Sequence, residues 1–410
     1  MAPVRYRADR RSASGEARGW SPRLACPKPA AMVPPTTLRA TSAHDARFDD
    51  WRWQAQHTVR ALAALERAIS LTDAEREGTR RALSQGLPLA ITPYYLSLID
   101  PDDPACPIRR QCVPVADEAV TVEGDLRDPL GEEAHEVAPG LVQRYPDRAL
   151  LLVTDRCGVY CRFCTRSRMV GDGGGARSLT SLKPAFDYLR AHPEVREVIV
   201  SGGDPGLMST SRLEAILTAL GELPHLDTLR FATRTPVTLP QRITDDLCAA
   251  LRRAHPAIWV MTHFNHPKEL TPASLAACAK LVDAGLPVMN QTVLLRGVND
   301  DEASLERLFR GLIRGRVRPY YLLQMDPVRG TSHLRTPLRR GVELMSALEG
   351  RISGIALPKL VVDTPGGLGK VPLGRDPVVS SHAASTHLRT FRGDLVEYRD
   401  PPSSDPDASA

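Results

Sequence analysis

The sequence predicts an α/β protein: a partial, open β/α barrel preceded by an N-terminal helical extension. Three observations carry this. Seven short apolar runs follow one another from residue 149 to residue 363, with polar loops and helical patterns between them. Most of their spacings are close to the roughly 30 residues of a β–α unit. The unusual residues gather in the loops just after the runs, the face where parallel barrels carry their chemistry.

Taken in order, residues 1–44 read as a disordered basic arm. Residues 1–40 hold eight basic residues against Asp9 and Glu16, which leaves 45 basic against 46 acidic residues in the rest. A near-neutral body argues against a nucleic-acid surface, which needs clustered charge on the folded part. A transit peptide is the less favoured alternative, a start at Met32 would make the arm an artefact, and the arm contains no secretory apolar segment. From Asp49 to about Leu83, apolar residues recur near a 3.6 period and predict one amphipathic helix. The extension (45–145) continues as irregular, proline-rich sequence, including ITPYYLSLIDPDDPACPIRRQCVP. The strand runs are 149–154, 197–201, 228–233, 257–262, 287–295, 318–324 and 358–363, with helices between them such as 270–285 and 300–313.

The barrel region is 146–375, and 376–410 is read as a tail. Six or seven strands fall short of the eight of a closed barrel, hence the open form; the competing arrangement is a doubly wound sheet. With 42% apolar and 25% charged residues, the composition excludes a wholly disordered chain. No apolar run approaches the ~18 residues that cross a bilayer. A cytoplasmic protein with no membrane partner is therefore expected.

Five of the eight cysteines are scattered, but Cys157, Cys161 and Cys164 are bunched in CGVYCRFC after the first run. Three thiolates in one loop suit a 4Fe–4S cluster and leave one iron open to another chelating molecule. The alternative is zinc, which usually takes four protein ligands. No fourth cysteine or histidine lies within fifteen residues. In DTPGGLGK, residues 363–370, a lysine closes a glycine-rich loop. It is not a Walker loop, because Val371 stands where Ser or Thr is required. The Lys370 amine can hold pyridoxal phosphate (PLP) as a Schiff base, or be a solvated turn lysine. Asp326 and Asp363 end the sixth and seventh runs, and by themselves read as turn caps near Pro327 and Pro365.

Together these stretches resemble a known family. CxxxCxxC after the first strand is similar to the radical S-adenosylmethionine (SAM) superfamily, whose open iron is chelated by SAM. Ser201, Gly202, Gly203 and Asp204 resemble that superfamily's motif for the methionine end of SAM. From about Asp49 to Glu397 the chain resembles the lysine 2,3-aminomutase family, through WRWQ, ITPYYLSLIDPDDP, GLVQRYPDRALLLVTDRCGVYCRFCTR, SGGDP, FNHP, NQTVLLRGVND, VRPYYLLQMD and VVDTPGGLGK.

The resemblance implies a barrel of radical SAM type and three cofactors: a 4Fe–4S cluster on Cys157, Cys161 and Cys164, SAM, and PLP. It implies that Lys370 carries PLP and that Arg144, Tyr145 and Arg148 belong to the PLP-holding set. Gln291 joins the cofactor-binding residues. Arg166 would pair with the substrate carboxylate, a task suited to a bidentate fork. Asp326 and Asp363 would grip a distal ammonium, since a buried cation needs paired anions.

The activity so implied is isomerisation of L-lysine to β-lysine, with an electron donor such as flavodoxin or ferredoxin and a homo-oligomeric enzyme. The alternatives are arginine as substrate, a role in modifying a translation factor's lysine, or a non-catalytic cluster-binding relative. A glutamate substrate is disfavoured by the two aspartates. Three departures stand out. Asp301 occupies the place of a family cysteine that binds structural zinc, and no cysteine or histidine follows Tyr398, so no structural zinc is expected. Phe163 replaces a histidine beside the adenine, and Leu368 replaces a glycine, which should stiffen the PLP loop.

Overall fold

The computed structural model describes residues 46–401, apart from 86, 172, 174, 383 and 384. The expected basic arm lies outside the described residues. Ten strands form one sheet in chain order: β1 (Glu136–Ala138), β2 (Leu141–Tyr145), β3 (Arg148–Thr154), β4 (Glu197–Gly202), β5 (Thr228–Ala232), β6 (Ile258–Thr262), β7 (Val288–Leu294), β8 (Arg318–Gln324), β9 (Lys359–Asp363) and β10 (Lys370–Pro372). From β3 to β9 every pairing is parallel. β1, β2 and β10 add antiparallel edges. The two edge strands do not pair with each other, so the barrel is open, as expected.

The parallel strands are dry on one face only. Val288, Asn290, Thr292 and Leu294 of β7 are buried on the helix side, while Met289, Gln291 and Val293 face the lumen and keep some exposure. The same alternation runs through β4 and β5, where Val198, Val200, Leu229 and Phe231 pack outward. Those side chains share one core with Leu182, Phe186 and Leu213 of the surrounding helices. The lumen is therefore the cavity, and the outer layer supplies most of the apolar burial.

Helices alternate with the strands: α6 (Leu179–Ala191), α7 (Thr210–Gly221), α9 (Asp245–Ala254) after the short α8 (Thr235–Thr238), α10 (Pro272–Asp283), α11 (Glu302–Arg314) and α12 (Leu338–Leu348). Their starts are chemically marked. Ser178, Ser209, Thr244, Thr271 and Asp301 each accept a backbone N–H of the first turn. Asp301, the residue at the expected cysteine position, serves here as the cap of α11, accepting from Ser304 N–H at 2.8 Å.

Three expectations change. The single helix over 49–83 is three pieces, α1 (Trp51–Gln56), α2 (Leu62–Ala68) and α3 (Asp73–Gln85). Val59 leaves the helical path to pair with Ile91, and Thr72 with Glu75 forms a fresh capping box at the start of α3. The irregular stretch contains α4 (Pro93–Leu96) and α5 (Arg109–Cys112), and the extension also contributes β1 and β2. The tail holds an antiparallel three-stranded sheet, β11 (Val378–His382), β12 (Ser385–Arg389) and β13 (Leu395–Arg399). The five-residue connection between β12 and β13 carries Gly393 at positive φ, a hairpin signal that the sequence reading did not use.

Candidate active site

The cysteine loop leaves the end of β3 and is held from two sides. On one side, Tyr160 N–H donates to Ala90 O at 3.0 Å and Arg162 N–H to Gln111 O at 2.9 Å. The Arg162 guanidinium, 4% exposed, donates to the carbonyls of Leu87 and Pro88 and to Glu118. The proline-rich extension is thus a brace for the loop. On the other side, Gly203 N–H donates to Thr154 O at 2.6 Å and Asp204 N–H to Arg156 O at 2.7 Å. A Cβ on Gly202 would lie 2.3 Å from Thr154 O, and one on Gly203 would lie 2.4 Å from Arg156 O. Both glycines are required by this close approach.

The Asp204 carboxylate faces inward. It accepts from the Thr233 hydroxyl at 2.5 Å, from Gly206 N–H at 2.9 Å and from Arg234 N–H at 2.9 Å. Burial pushes its pKa up, against those hydrogen bonds. Its side chain ties loops together, so within this motif Ser201, Gly202 and Gly203 are the residues left to meet a ligand.

Cys157, Cys161 and Cys164, all half-buried, line one cavity of about 310 Å³ with Arg166, Gln291, Asp326, Asp363 and Lys370. Burial pushes the Cys164 thiol up to about 11, and the Cys157 thiol upward too. Among the described residues, no three His, Cys, Asp or Glu side chains stand close enough to hold a single metal ion. Three thiols bordering one roomy cavity supply separate sulfur ligands of the kind a multi-iron cluster takes.

A second cavity of about 320 Å³ adjoins the first and shares Arg166, Ser201, Gln291 and Lys370 with it. Arg144, Tyr145 and Arg148 line it, with the Arg148 guanidinium 3.8 Å over the Tyr145 ring. Arg230, Tyr320 and Tyr321 line it as well. This concentration of guanidinium and phenol groups suits a phosphorylated aromatic cofactor.

Lys370 stands opposite Asp363 in the β9–β10 pairing. The turn between them needs Gly366, Gly367 and Gly369 at positive φ. Leu368 within it has φ −72° and is 87% exposed, so it fits the turn without crowding the cavity. Lys370 Nζ donates to the two Asp363 oxygens at 2.9 and 2.6 Å, and Arg144 Nη2 donates to Asp363 Oδ1 at 3.1 Å. Asp326 lies nearby with Oδ1 buried and without a partner. Burial first, and Asp363 second, push its carboxyl up to about 7.

Arg166 is gripped by Glu132, with Nε 2.9 Å and Nη2 2.7 Å from Oε1. Its remaining Nη1 points toward Ser201 Oγ and Gly202 O at 3.4 and 3.5 Å. Burial pushes Glu132 up, but Arg166 and Arg168 overcome it and hold the carboxyl below its usual range.

All fifteen predicted site residues therefore lie at or directly behind two adjoining cavities. Sequence reasoning missed Glu132, Arg230, Arg234, His263, Tyr320 and Tyr321. Arg230 and Tyr321 were findable from strand alternation alone, since both fall on the lumen side of their runs. Phe163 packs against His263, ring centroids 5.6 Å apart.

The family model "Radical SAM superfamily" matches residues 151–308, and the model "Lysine-2,3-aminomutase" matches residues 345–410. The L-lysine 2,3-aminomutase of Clostridium subterminale is 46% identical over 357 residues, 87% of this chain and 85% of that protein. The chain belongs to the lysine 2,3-aminomutase family. Another member, the L-lysine 2,3-aminomutase of Bacillus subtilis, is also 46% identical, over 87% of this chain and 75% of its own length. The family is not uniform in substrate. The glutamate 2,3-aminomutase of Clostridioides difficile is 41% identical over 87% of this chain and 84% of its own.

This lysine 2,3-aminomutase family member is thus an aminomutase of the radical SAM superfamily. Superfamily membership implies an iron–sulfur cluster with SAM, and family membership implies PLP. The donor sets just described fit all three.

Proposed function

We propose that this aminomutase acts on L-lysine, moving its amino group from C2 to C3 to give β-lysine. The observation that carries this is the acidic end of the cavity. Asp326 and Asp363 both border it, and Asp326 has a buried oxygen without a partner. An alkylammonium between the two carboxylates satisfies that oxygen and relieves their repulsion. A glutamate side chain would add a third carboxylate at the same place. The glutamate-specific relative is for that reason a poorer guide to substrate than the lysine enzymes.

When bound, SAM and the cluster supply a carbon-centred radical, and PLP supplies a π-system that takes up the migrating nitrogen. The remaining tasks fall to the chain. Cys157, Cys161 and Cys164 would hold the cluster. Ser201, Gly202 and Gly203 would meet the methionine end of SAM. Lys370 would anchor PLP, with Arg144, Tyr145, Arg148 and Gln291 around it. Arg166 turns Nη1 to the substrate carboxylate while Glu132 fixes the rest of its fork. One C–N bond breaks at C2, one forms at C3 and one hydrogen moves the opposite way, so the isomerisation has no net redox change.

A small electron carrier such as flavodoxin or ferredoxin would supply the initiating electron. No described helix is long and apolar enough to cross a membrane, in keeping with a cytoplasmic enzyme. Exposed Phe391, Leu395 and Tyr398 around the C-terminal sheet support a homo-oligomer.

The test is an anaerobic assay of reconstituted protein with lysine, arginine and glutamate offered separately and in competition. β-Lysine is expected as the dominant product. Preferential formation of β-arginine or β-glutamate would overturn the assignment.

A further inference from the structure

We propose that Arg234 is a positioning residue for the iron–sulfur cluster: it donates a hydrogen bond to the Cys161 sulfur and thereby raises the cluster's reduction potential. The proposal rests on the assignment of the three cysteines as cluster ligands.

Arg234 follows the end of β5 and is 8% exposed. Each of its guanidinium nitrogens has a fixed partner. Nε donates to His263 O at 3.1 Å. Nη2 donates to Gln111 Oε1 at 2.7 Å, to Glu269 Oε1 at 2.9 Å and to the Tyr95 hydroxyl at 3.2 Å. Nη1 donates to Cys161 Sγ at 2.6 Å. Tyr95 and Phe163 hold the guanidinium between them, with ring centroids 5.4 and 5.6 Å from Cζ. These partners together fix the direction of the fork.

Its surroundings are themselves locked. Glu269 is fully buried and accepts from the N–H groups of Asn265 and His266 and from the Tyr95 hydroxyl. Gln111 Oε1 also accepts from Asn265 Nδ2 at 3.0 Å. Among the described residues, neither Cys157 nor Cys164 accepts a hydrogen bond from a charged side chain. One of the three cluster sulfurs is thus singled out for a cation that the N-terminal extension and the loops after β5 and β6 jointly aim.

Reducing a cluster by one electron adds negative charge in a site with little water. A fixed cation bonded to a ligand sulfur stabilises that reduced form over the oxidised one, and hydrogen bonds to cluster sulfurs are a principal control of potential. Arg234 borders the cysteine cavity and is not among the residues that line the second cavity with Arg144, Tyr145 and Arg148, and its one contact with a proposed cluster ligand is through Cys161.

The experiment is a spectroelectrochemical titration of reconstituted wild type, Arg234→Met and Arg234→Lys, with iron content and the cluster's absorbance measured on the same samples. Wild type without a cluster would sink the cysteine assignment itself, separately from this proposal. With clusters present, Arg234→Met should lower the reduced-to-oxidised ratio at the wild-type midpoint at least tenfold, equivalent to 59 mV for one electron. Arg234→Lys, which keeps the charge without the fork, should fall between. A wild-type midpoint in Arg234→Met overturns the proposal. If Arg234→Met assembles no cluster, Arg234→Lys decides, and an unshifted midpoint there overturns it. Loss of the cluster from both variants in otherwise folded protein also counts against it, since Arg234 would then serve assembly and not potential.

Discussion

Lys370 and Asp363 face each other across the β9–β10 hairpin, the lysine ammonium lying 2.9 and 2.6 Å from the two carboxylate oxygens. The residue assigned to PLP therefore sits in the place assigned to the substrate's own ammonium. Lys370 and Arg144 together offset the Asp363 charge; were Lys370 to carry PLP as proposed, Asp363 would keep Arg144 and lose its lysine partner.

The two halves of the site should separate under mutation. Lys370→Ala should leave iron content and cluster absorbance intact while PLP absorbance disappears. Cys157→Ala should lose the cluster and activity while the purified protein still takes up PLP. A visible spectrum with iron analysis distinguishes the two, and joint loss of both cofactors from both variants would contradict the assignment.

Asp326 carries a pH signature. Its carboxyl is pushed up to about 7 in the folded protein, well above its value in an unfolded chain. The folded state then holds a proton that the unfolded state has released, so stability without ligands falls as pH rises through that interval and levels off above it. Asp326→Asn removes the penalty. Its melting temperature relative to wild type should rise from about pH 5 to about pH 8. In the same interval, KM for lysine in the wild type should fall as Asp326 ionises. A constant melting difference would show that Asp326 does not titrate there.

Gly203 tests the contact between the cysteine loop and β4. Alanine places a Cβ 2.4 Å from Arg156 O, and backbone atoms yield only by moving the loop. Gly203→Ala should cost about 1–3 kcal/mol in stability and reduce iron incorporation. Thermal unfolding and iron analysis measure both.

Glu132 orients Arg166 by a charge-assisted fork. Glu132→Gln weakens that grip, and a charge-assisted hydrogen bond contributes about 1.5–3 kcal/mol. KM for the amino acid should rise about tenfold or more, with cluster content unchanged. An unaltered KM would mean that Arg166 is held by its surroundings alone.

Much of this molecule is legible locally. The seven parallel strands appear in the sequence within a residue or two of their final ends, because each is a short apolar run between polar loops. Cys157, Cys161, Cys164 and Lys370 stand out because their chemistry depends on near neighbours in one loop. The break of the 49–83 helix was not legible, since it depends on Val59 pairing with Ile91. The inward turn of Asp204 was hidden as well, since two of its three partners belong to the loop after β5.

Glu132 and Arg234 mark the limit. Nothing beside Glu132 in the chain announces Arg166, and nothing beside Arg234 announces Gln111, Glu269 or Cys161. Residue types and their spacing along the chain determined the strands, the cluster loop and the lysine loop. Which buried charge meets which was decided only by tertiary structure. A buried ion must find its counter-ion wherever the fold brings one within reach, and that distance is set by the packing of strands and loops far apart in the chain.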